Sequence, residues 1–485
     1  MPRHLMHMSD AAEDALRTAL KQLRKELEVP TDFPAHVLEA AAAAAAAPRL
    51  PDKDATHLPF FTIDPPASKD LDQAMYLERR PGGGFRVHYA IADVAAFVTP
   101  GGALDAEAHE RVETLYFPDG KVALHPPVIS EDAGSLLPYR TVPALLWQHD
   151  LDSQGEVTHS DVSRALVRSR AKLDYAGVQQ DIDAGTAEES VLLLREIGEL
   201  REAIEVARGG ISVSLPDQEI TLDDGSFRLS YQASLPVEGW NEQISLMTGM
   251  AAARMMLDSG TGILRTQRMA KSNVVDRVRA IAQSLGIDWP HHVSYAKLVR
   301  SLVPDNQKHM AFLSEATAML LKAEYTPFRD HRIPEHTTHA AIAAPYTHCT
   351  APLRRLIDRY TGELCVAACA GQAPPDWVLT ALYGLPCDMA RGKGSKADRR
   401  SVDLAEAAVL KDRVGEVFGA TVVNTDKEFG GPREGQVHLA DPAVLAKVRS
   451  TRDLVLGESV RVTLKRADPA HSDEDDPDKV LFTLP

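Results

Sequence analysis

The sequence predicts an α+β fold, on three observations. Leucines recur at helical spacing near the start, a long block of β-prone segments is punctuated by glycine and proline, and short strands crowd the end. Residues 10 to 28 carry the first signal. Leu16, Leu20, Leu23 and Leu27 fall on one stripe, Asp10 and Glu13 fit a capping box, and Pro30 ends the segment. A second helix runs through Val37, Leu38 and the alanines 40 to 47 until Pro48; alanine loses least on helix formation, so the run needs no function to explain it. From about residue 56 to 170 the pattern turns to strands, with Gly82-Gly83-Gly84 joining 74–79 to 85–98 as a hairpin. Helical periodicity returns over 187–208, 238–258, 274–285 and 307–323. Short strands at 420–423, 434–438, 459–464 and 480–484 suit a small barrel, for which an OB-fold is the natural candidate. The expected division is a helical N-terminal module and connector over 1–50, a mixed central domain over 51–412 and a C-terminal barrel over 413–485.

Composition narrows the function classes. At 485 residues with 44% hydrophobic side chains, the chain can bury a sizeable core, and wholesale disorder is excluded. No run of about eighteen apolar residues exists, so no membrane partner is expected. Met1-Pro2-Arg3-His4 leads into a polar helix rather than an apolar signal core. Cys349, Cys365, Cys369 and Cys387 lack zinc or disulfide spacing, which points to a reduced cytoplasm. A net charge of −16 argues against a protein that coats nucleic acid, because such domains draw affinity from counterion release. An enzyme escapes that constraint by confining its positive charge to a narrow channel. Part of the acidity sits in one solvated loop, Asp473-Glu474-Asp475-Asp476 with Asp478.

The most informative segment is Thr62-Ile63-Asp64-Pro65-Pro66-Ala67-Ser68-Lys69-Asp70-Leu71-Asp72-Gln73-Ala74. A β-prone run enters it, and Pro65-Pro66 forbids both a ladder and a helix. Asp70 and Asp72, two apart in extended chain, point to one side. Clustered carboxylates repel unless a cation neutralises them, and hard oxygen donors without Cys or His suit Mg²⁺ or Mn²⁺. Judged by spacing alone, a solvated acidic loop with Asp70 capping a turn accounts for the segment equally well. A helix–loop–helix calcium site does not, since its sixth-position glycine and twelfth-position glutamate are absent.

These residues resemble the first motif of the ribonuclease II (RNB) family, hydrolytic exoribonucleases that digest RNA from the 3′ end. The family reads Thr-Ile-Asp, five residues, then Asp-x-Asp-Asp-Ala. Asp64, Asp70 and Asp72 fall on its first three carboxylates, and Gln73 replaces the fourth with an uncharged carbonyl donor. A second segment, Pro345-Tyr346-Thr347-His348-Cys349-Thr350-Ala351-Pro352-Leu353-Arg354-Arg355, is similar to the family's Ser-Pro-Ile-Arg-Arg-Tyr motif. Ala351, Leu356 and Cys349 depart from it. Pro352 is expected at the first turn of a helix, with Arg354 and Arg355 at its N-terminus, where phosphate is favoured. An arbitrary Arg-Arg pair is more often a surface salt-bridging pair; the resemblance makes Arg354 catalytic and Arg355 its support on RNA.

Further positions follow the same resemblance. Ala90-Ile91-Ala92-Asp93-Val94 matches a family strand in which Asp93 is given no chemical role. Tyr116 falls on an aromatic that stacks on RNA bases, Tyr175 on a tyrosine that helps set the final product's length, and Glu242 on an acidic position opening a helix near the RNA 3′ end. Asp398 falls near another acidic position of the site. The resemblance implies a mixed sheet and helices around an RNA channel, a C-terminal OB-fold and single-stranded RNA as partner. The implied activity is processive release of nucleoside 5′-monophosphates; a monomer is expected. In place of the family's N-terminal cold-shock domains stands the helical module, which either guides RNA or packs as an appendage. The rival reading is an RNA-binding protein with the fold but without the chemistry.

Overall fold

The structure, a computed structural model, describes residues 10–484 apart from 212–216, 224–225, 233, 304–305, 317–318, 426–432, 440–441, 443 and 472–477. The N-terminal residues 1–4 and the acidic run 473–476 lie outside the described residues. The chain begins with α1 (Asp10–Glu26) and α2 (Ala35–Ala46), then β1 (Phe60–Ile63), β2 (Gln73–Arg79), β3 (Phe85–Ala92) and α3 (Ala103–Arg111). A hairpin of β4 (Leu115–Phe117) and β5 (Gly120–Val122) precedes the long strands β6 (Thr141–Leu151) and β7 (Val157–Leu173). Next come α4 (Tyr175–Ala184), α5 (Glu189–Arg208), the hairpin β8 (Asp217–Asp223) and β9 (Ser226–Gln232), and α6 (Pro236–Ser259).

β10 (Gly262–Thr266) pairs with β11 (Glu324–Phe328) around α7 (Ser272–Ser284), α8 (Tyr295–Ser301) and α9 (Gln307–Ala316). The short β12 (Thr338–His339) and β13 (Ala344–Pro345) lead into α10 (Leu356–Cys369), α11 (Asp376–Ala381), α12 (Leu385–Ala390) and α13 (Gly394–Leu410). The last five strands are β14 (Val417–Thr425), β15 (Glu434–Leu439), β16 (Val444–Ser450), β17 (Ser459–Ala467) and β18 (Val480–Leu484).

The mixed sheet closes on itself. β1, β2, β3, β6 and β7 form a barrel whose seam is the parallel pair β1·β7. The Gly82-Gly83-Gly84 turn is required by its backbone: φ is 90°, 102° and 78°, a region open to glycine at little cost. At Gly84 a Cβ would lie 2.2 Å from the Leu151 carbonyl oxygen. Two apolar clusters cover the two faces of this wall. Phe61, Met75, Tyr89 and Trp147 pack against α5, α6 and α10 on the outside. Phe60, Ala74, Ala90, Ala144, Ala165 and Val167 fill the other side, and small residues suit the narrow lumen of a five-stranded barrel.

The C-terminal strands close a second barrel in the order β14-β15-β16-β18-β17, around one core cluster joined by Ala407 and Leu410 of α13. The N-terminal stripe is consumed by packing. Leu16, Leu20 and Leu23 bury against Leu115, Phe117 and Val122 of the β4–β5 hairpin and against α13. Arg24 pairs with Asp119 and lies over the Phe117 ring at 4.2 Å.

The structure departs from expectation at several points. α3 lies inside the region read as strands; Leu104 and Ala108 are its apolar anchors, and buried Asp105 and Arg111 blur its amphipathic pattern. β16 was not expected, because exposed Leu445 breaks its alternation. α9 ends at Ala316 rather than at 323, and Leu320 bridges Met269 instead. Pro352 sits in a turn before α10, not in its first turn, because the chain first makes a bridge between Glu113 and Arg355.

Candidate active site

One end of the first barrel opens onto a cavity. β1 runs into Asp64, β2 starts after Asp72, and β7 ends before Asp174 and Tyr175. Since β1 is antiparallel to β2 and parallel to β7, these points share one rim. The Asp64 N–H donates to the Leu173 carbonyl at 3.1 Å, and the Lys172 ammonium donates to the Pro66 and Ser68 carbonyls, each at 2.6 Å. The acidic loop is thereby tied to the end of β7. The cavity measures about 990 Å³, and Asp64, Asp70, Asp72, Gln73, Tyr116, Tyr175, Glu242 and Arg354 all line it.

Each side chain has a definite tether. Asp72 is buried; its Oδ1 accepts the Leu353 N–H at 2.8 Å, and its Oδ2 lies 3.5 Å from Arg354 Nε. Burial pushes the Asp72 carboxyl up to about 7 against the pull of Arg354. Asp64 is also pushed up to about 7 by burial, with Arg354 and Lys172 opposing. Asp70 Oδ1 accepts from Lys121 Nζ at 2.6 Å, and the Gln73 amide donates to the Thr350 carbonyl at 2.7 Å.

Arg354 follows a turn in which its N–H and that of Arg355 donate to the Ala351 carbonyl, and its own carbonyl accepts the Thr114 N–H at 2.9 Å. The guanidinium is half exposed inside the cavity. Tyr175 begins α4, which Asp174 caps by accepting the Gly177 N–H at 2.8 Å. Its hydroxyl accepts from Asn241 Nδ2 at 3.1 Å, and burial, then Asp64, push the phenol up to about 12. Tyr116 is exposed while Leu115 and Phe117 beside it are buried, so strand alternation aims its ring into the cavity.

The RNB domain profile matches residues 52–369, and that of the RNase II-type exonuclease C-terminal S1 domain matches 416–473. The chain belongs to the RNB family. Ribonuclease R of Escherichia coli (strain K12) is 25% identical over 406 residues, covering 78% of this chain and 49% of that protein. The chain thus spans about half the length of that curated relative. Mycoplasma genitalium RNase R, solved in complex with ribose-methylated single-stranded RNA, superposes with a TM-score of 0.82 at 18% identity, over 97% of this chain and 78% of that one. Yeast Ssd1, described as a pseudonuclease, superposes with a TM-score of 0.65 at 15% identity, over 87% and 52%.

Three residues of this RNB site behave differently from expectation. One edge of the Arg355 guanidinium is taken by Asp358, with Nε–Oδ2 at 3.0 Å and Nη2–Oδ1 at 2.7 Å, so that edge braces the turn. Asp398 does not line the cavity. It is exposed on α13, whose neighbouring Arg399 and Arg400 face a cleft against the second barrel. Glu242 does line it, but α6 begins at Pro236, so the glutamate lies inside the helix; the enclosing walls, then Glu205, raise its carboxyl. Gln243 is buried and donates to Glu205. Asp93 accepts Arg164 Nε at 2.8 Å, a structural tie.

Lys121 and Asp358 were missed. The signal for Lys121 was the two-residue Pro118-Asp119 turn, which sets it opposite Tyr116. For Asp358 the signal was weaker: a carboxylate three residues after an arginine at a helix start.

The donor set suits a hard divalent ion. Buried Asp72 and half-buried Asp64 both have raised proton affinity, their negative charge poorly compensated, and a cation would relieve it. Among the described residues no three Asp, Glu, His or Cys side chains gather closely enough to form a ready-made cage. The expected set of four ligands is therefore not assembled, since Asp70 and Gln73 are turned to other partners. Magnesium commonly uses one or two carboxylates with water and substrate phosphate, and Asp64 with Asp72 meet that need. Among the described residues no helix is long and apolar enough to cross a membrane.

Proposed function

We propose that the chain is a metal-dependent 3′→5′ exoribonuclease that degrades single-stranded RNA processively to nucleoside 5′-monophosphates and a short limit oligonucleotide. The observation that carries this reading is one cavity in which Asp64, Asp72, Arg354, Tyr116 and Tyr175 face the same space at a barrel rim. Asp64 and Asp72, with Asp70 and Gln73 flanking, would hold Mg²⁺ or Mn²⁺. When bound, the ion lowers the pKa of a water to near neutrality and offsets phosphate charge. The attacking water forms a new P–O bond and gives up a proton. The bond to the penultimate 3′-oxygen breaks, and that oxygen takes a proton up.

Arg354 meets the charge that builds on the phosphoryl oxygens, and Asp72 fixes the guanidinium from behind. Tyr116 and Tyr175 stack on the last bases; stacking contributes about 1–3 kcal/mol per base and tolerates any sequence. Glu242 lies where a 3′-terminal ribose would be sensed. The units 1–50, 51–412 and 413–485 divide the work: the hairpin is buttressed, the strand is cut, and RNA is held upstream by the outer barrel. We place the protein as a monomer in a reducing cytoplasm, a reading supported by four free cysteines.

A time course on 5′-labelled single-stranded RNA with Mg²⁺, beside Asp72→Asn, tests this. Loss of full-length RNA to a short end product, with mononucleotides released and the variant inert, is the expected result. RNA that stays intact yet shifts in mobility with or without Mg²⁺ would sink the nuclease reading and leave an RNA-binding protein. Gln73 is the residue that favours this second reading.

A further inference from the structure

Asp70 and Lys121 are far apart in sequence, and the β4–β5 hairpin brings them together. Tyr116 and Lys121 are cross-strand partners in it, so both side chains leave the same face toward the rim. Lys121 Nζ lies 2.6 Å from Asp70 Oδ1 and 3.0 Å from Glu131 Oε1, with the lysine side chain 25% exposed. Carboxylates on two sides hold this ammonium in place, unlike a surface lysine that trades partners with water. The hairpin beneath it is fixed in turn by α1, through Phe117 and the Arg24–Asp119 pair.

A two-ion clamp sets cations about 3.5–4 Å apart, each on open carboxylate oxygens. On the Asp70 flank an ammonium already holds that place. Gln73, the next flank, is neutral and its amide is bound to Thr350. Asp64, by contrast, has no ion-pair partner among the described residues, and Asp72 has only the side-on contact with Arg354.

Resting on the exoribonuclease reading, we infer that Lys121 is a built-in second cation. The site takes a single divalent ion, at Asp64 and Asp72. Lys121, acting through Asp70, supplies the positive charge that a second ion would otherwise bring. It is a positioning residue: it touches Asp70 and Glu131, not the reacting atoms.

The test is calorimetric titration of Mn²⁺ into the metal-free full chain without RNA. The wild-type protein is expected to bind about one ion per chain, Lys121→Met about two, because Asp70 is uncovered, and Lys121→Arg about one again. Metal activation of RNA cleavage should rise to first order in Mn²⁺ for wild type and to second order for Lys121→Met, a change that loss of packing alone does not produce. Two ions, or none, on the wild-type chain overturns the inference whether or not the variants fold. So does a Lys121→Met protein that melts like wild type and still binds one ion. If the ion count changes as expected while RNA stays intact in every sample, the Lys121 assignment stands and the nuclease reading falls.

Discussion

The molecule contains two closed five-stranded barrels, and they are built to opposite specifications. In the first, β3 is buried at almost every position and β6 likewise, because helices cover the outside and alanines fill the lumen. In the second, β17 alternates exposed and buried residues along its length, with one apolar core and a wet outer face. A wall packed on both sides cannot shift one strand without disturbing two cores. That rigidity is what a site needs when its carboxylates come from the ends of separate strands. Among the described residues the outer barrel gathers no such set of carboxylates.

The comparison can be broken most forcefully at the rim. Arg354→Ala should lower kcat on RNA by about 10²–10³-fold, the range for loss of a charge-stabilising donor. Exposed Lys465 on β17, changed to alanine, should instead move KM and the salt dependence of binding, with kcat nearly constant. Equal losses from both would mean that the two barrels share the chemistry.

Next comes packing. Ala144→Leu in the narrow lumen should cost about 1–3 kcal/mol in urea unfolding, since added methylenes have nowhere to go. If the variant is as stable as wild type, the lumen is not close-packed. A subtler probe is His149, buried between the first barrel and α6, with Ser160 and Thr248 as partners at 2.8 and 3.1 Å. Burial, then Arg201, hold its imidazole down to about 3. The unfolded chain takes up that proton near pH 6.5. Stability from this group is therefore complete above pH 6.5 and falls by about 1.4 kcal/mol per pH unit as the pH drops toward 3. Other buried imidazoles, His125 and His348 among them, add to the slope in melts between pH 7.5 and 5, and His149→Gln should lessen it by one proton's share, about 1.4 kcal/mol per pH unit. The smallest effect is expected for Lys465→Ala on stability, within about 0.5 kcal/mol.

Local pattern made part of this legible. The leucine stripe of α1, the triple-glycine turn, the alternation in β15 and β17 and the apolar run of β18 depend only on neighbours in sequence, and each is readable. So was the acidic loop, because prolines and carboxylates in one short stretch have few structural uses. What escaped depends on partners far along the chain. Asp70 meets Lys121 only once the hairpin folds. Arg355 meets Asp358 along one edge of its guanidinium, and β16 is a strand because β15 and β18 pair with it on both sides. Asp398 fails for the same reason: α13 turns Ala397, Leu404, Ala405 and Ala408 toward α1, leaving the aspartate on a different side from the cavity.

α13 also joins the two barrels. At its start the Gly394 N–H donates to the Glu113 carboxylate at 2.7 Å, and Glu113 is bridged to Arg355. At its end Ala407 and Leu410 enter the core of the outer barrel, and Glu406 accepts the Leu445 N–H at 2.7 Å. Seventeen helical residues rise about 25 Å. In mechanical terms this is a strut fixed at both ends, not a tether. A pull on the outer barrel meets no slack before it reaches the backbone that holds Arg354.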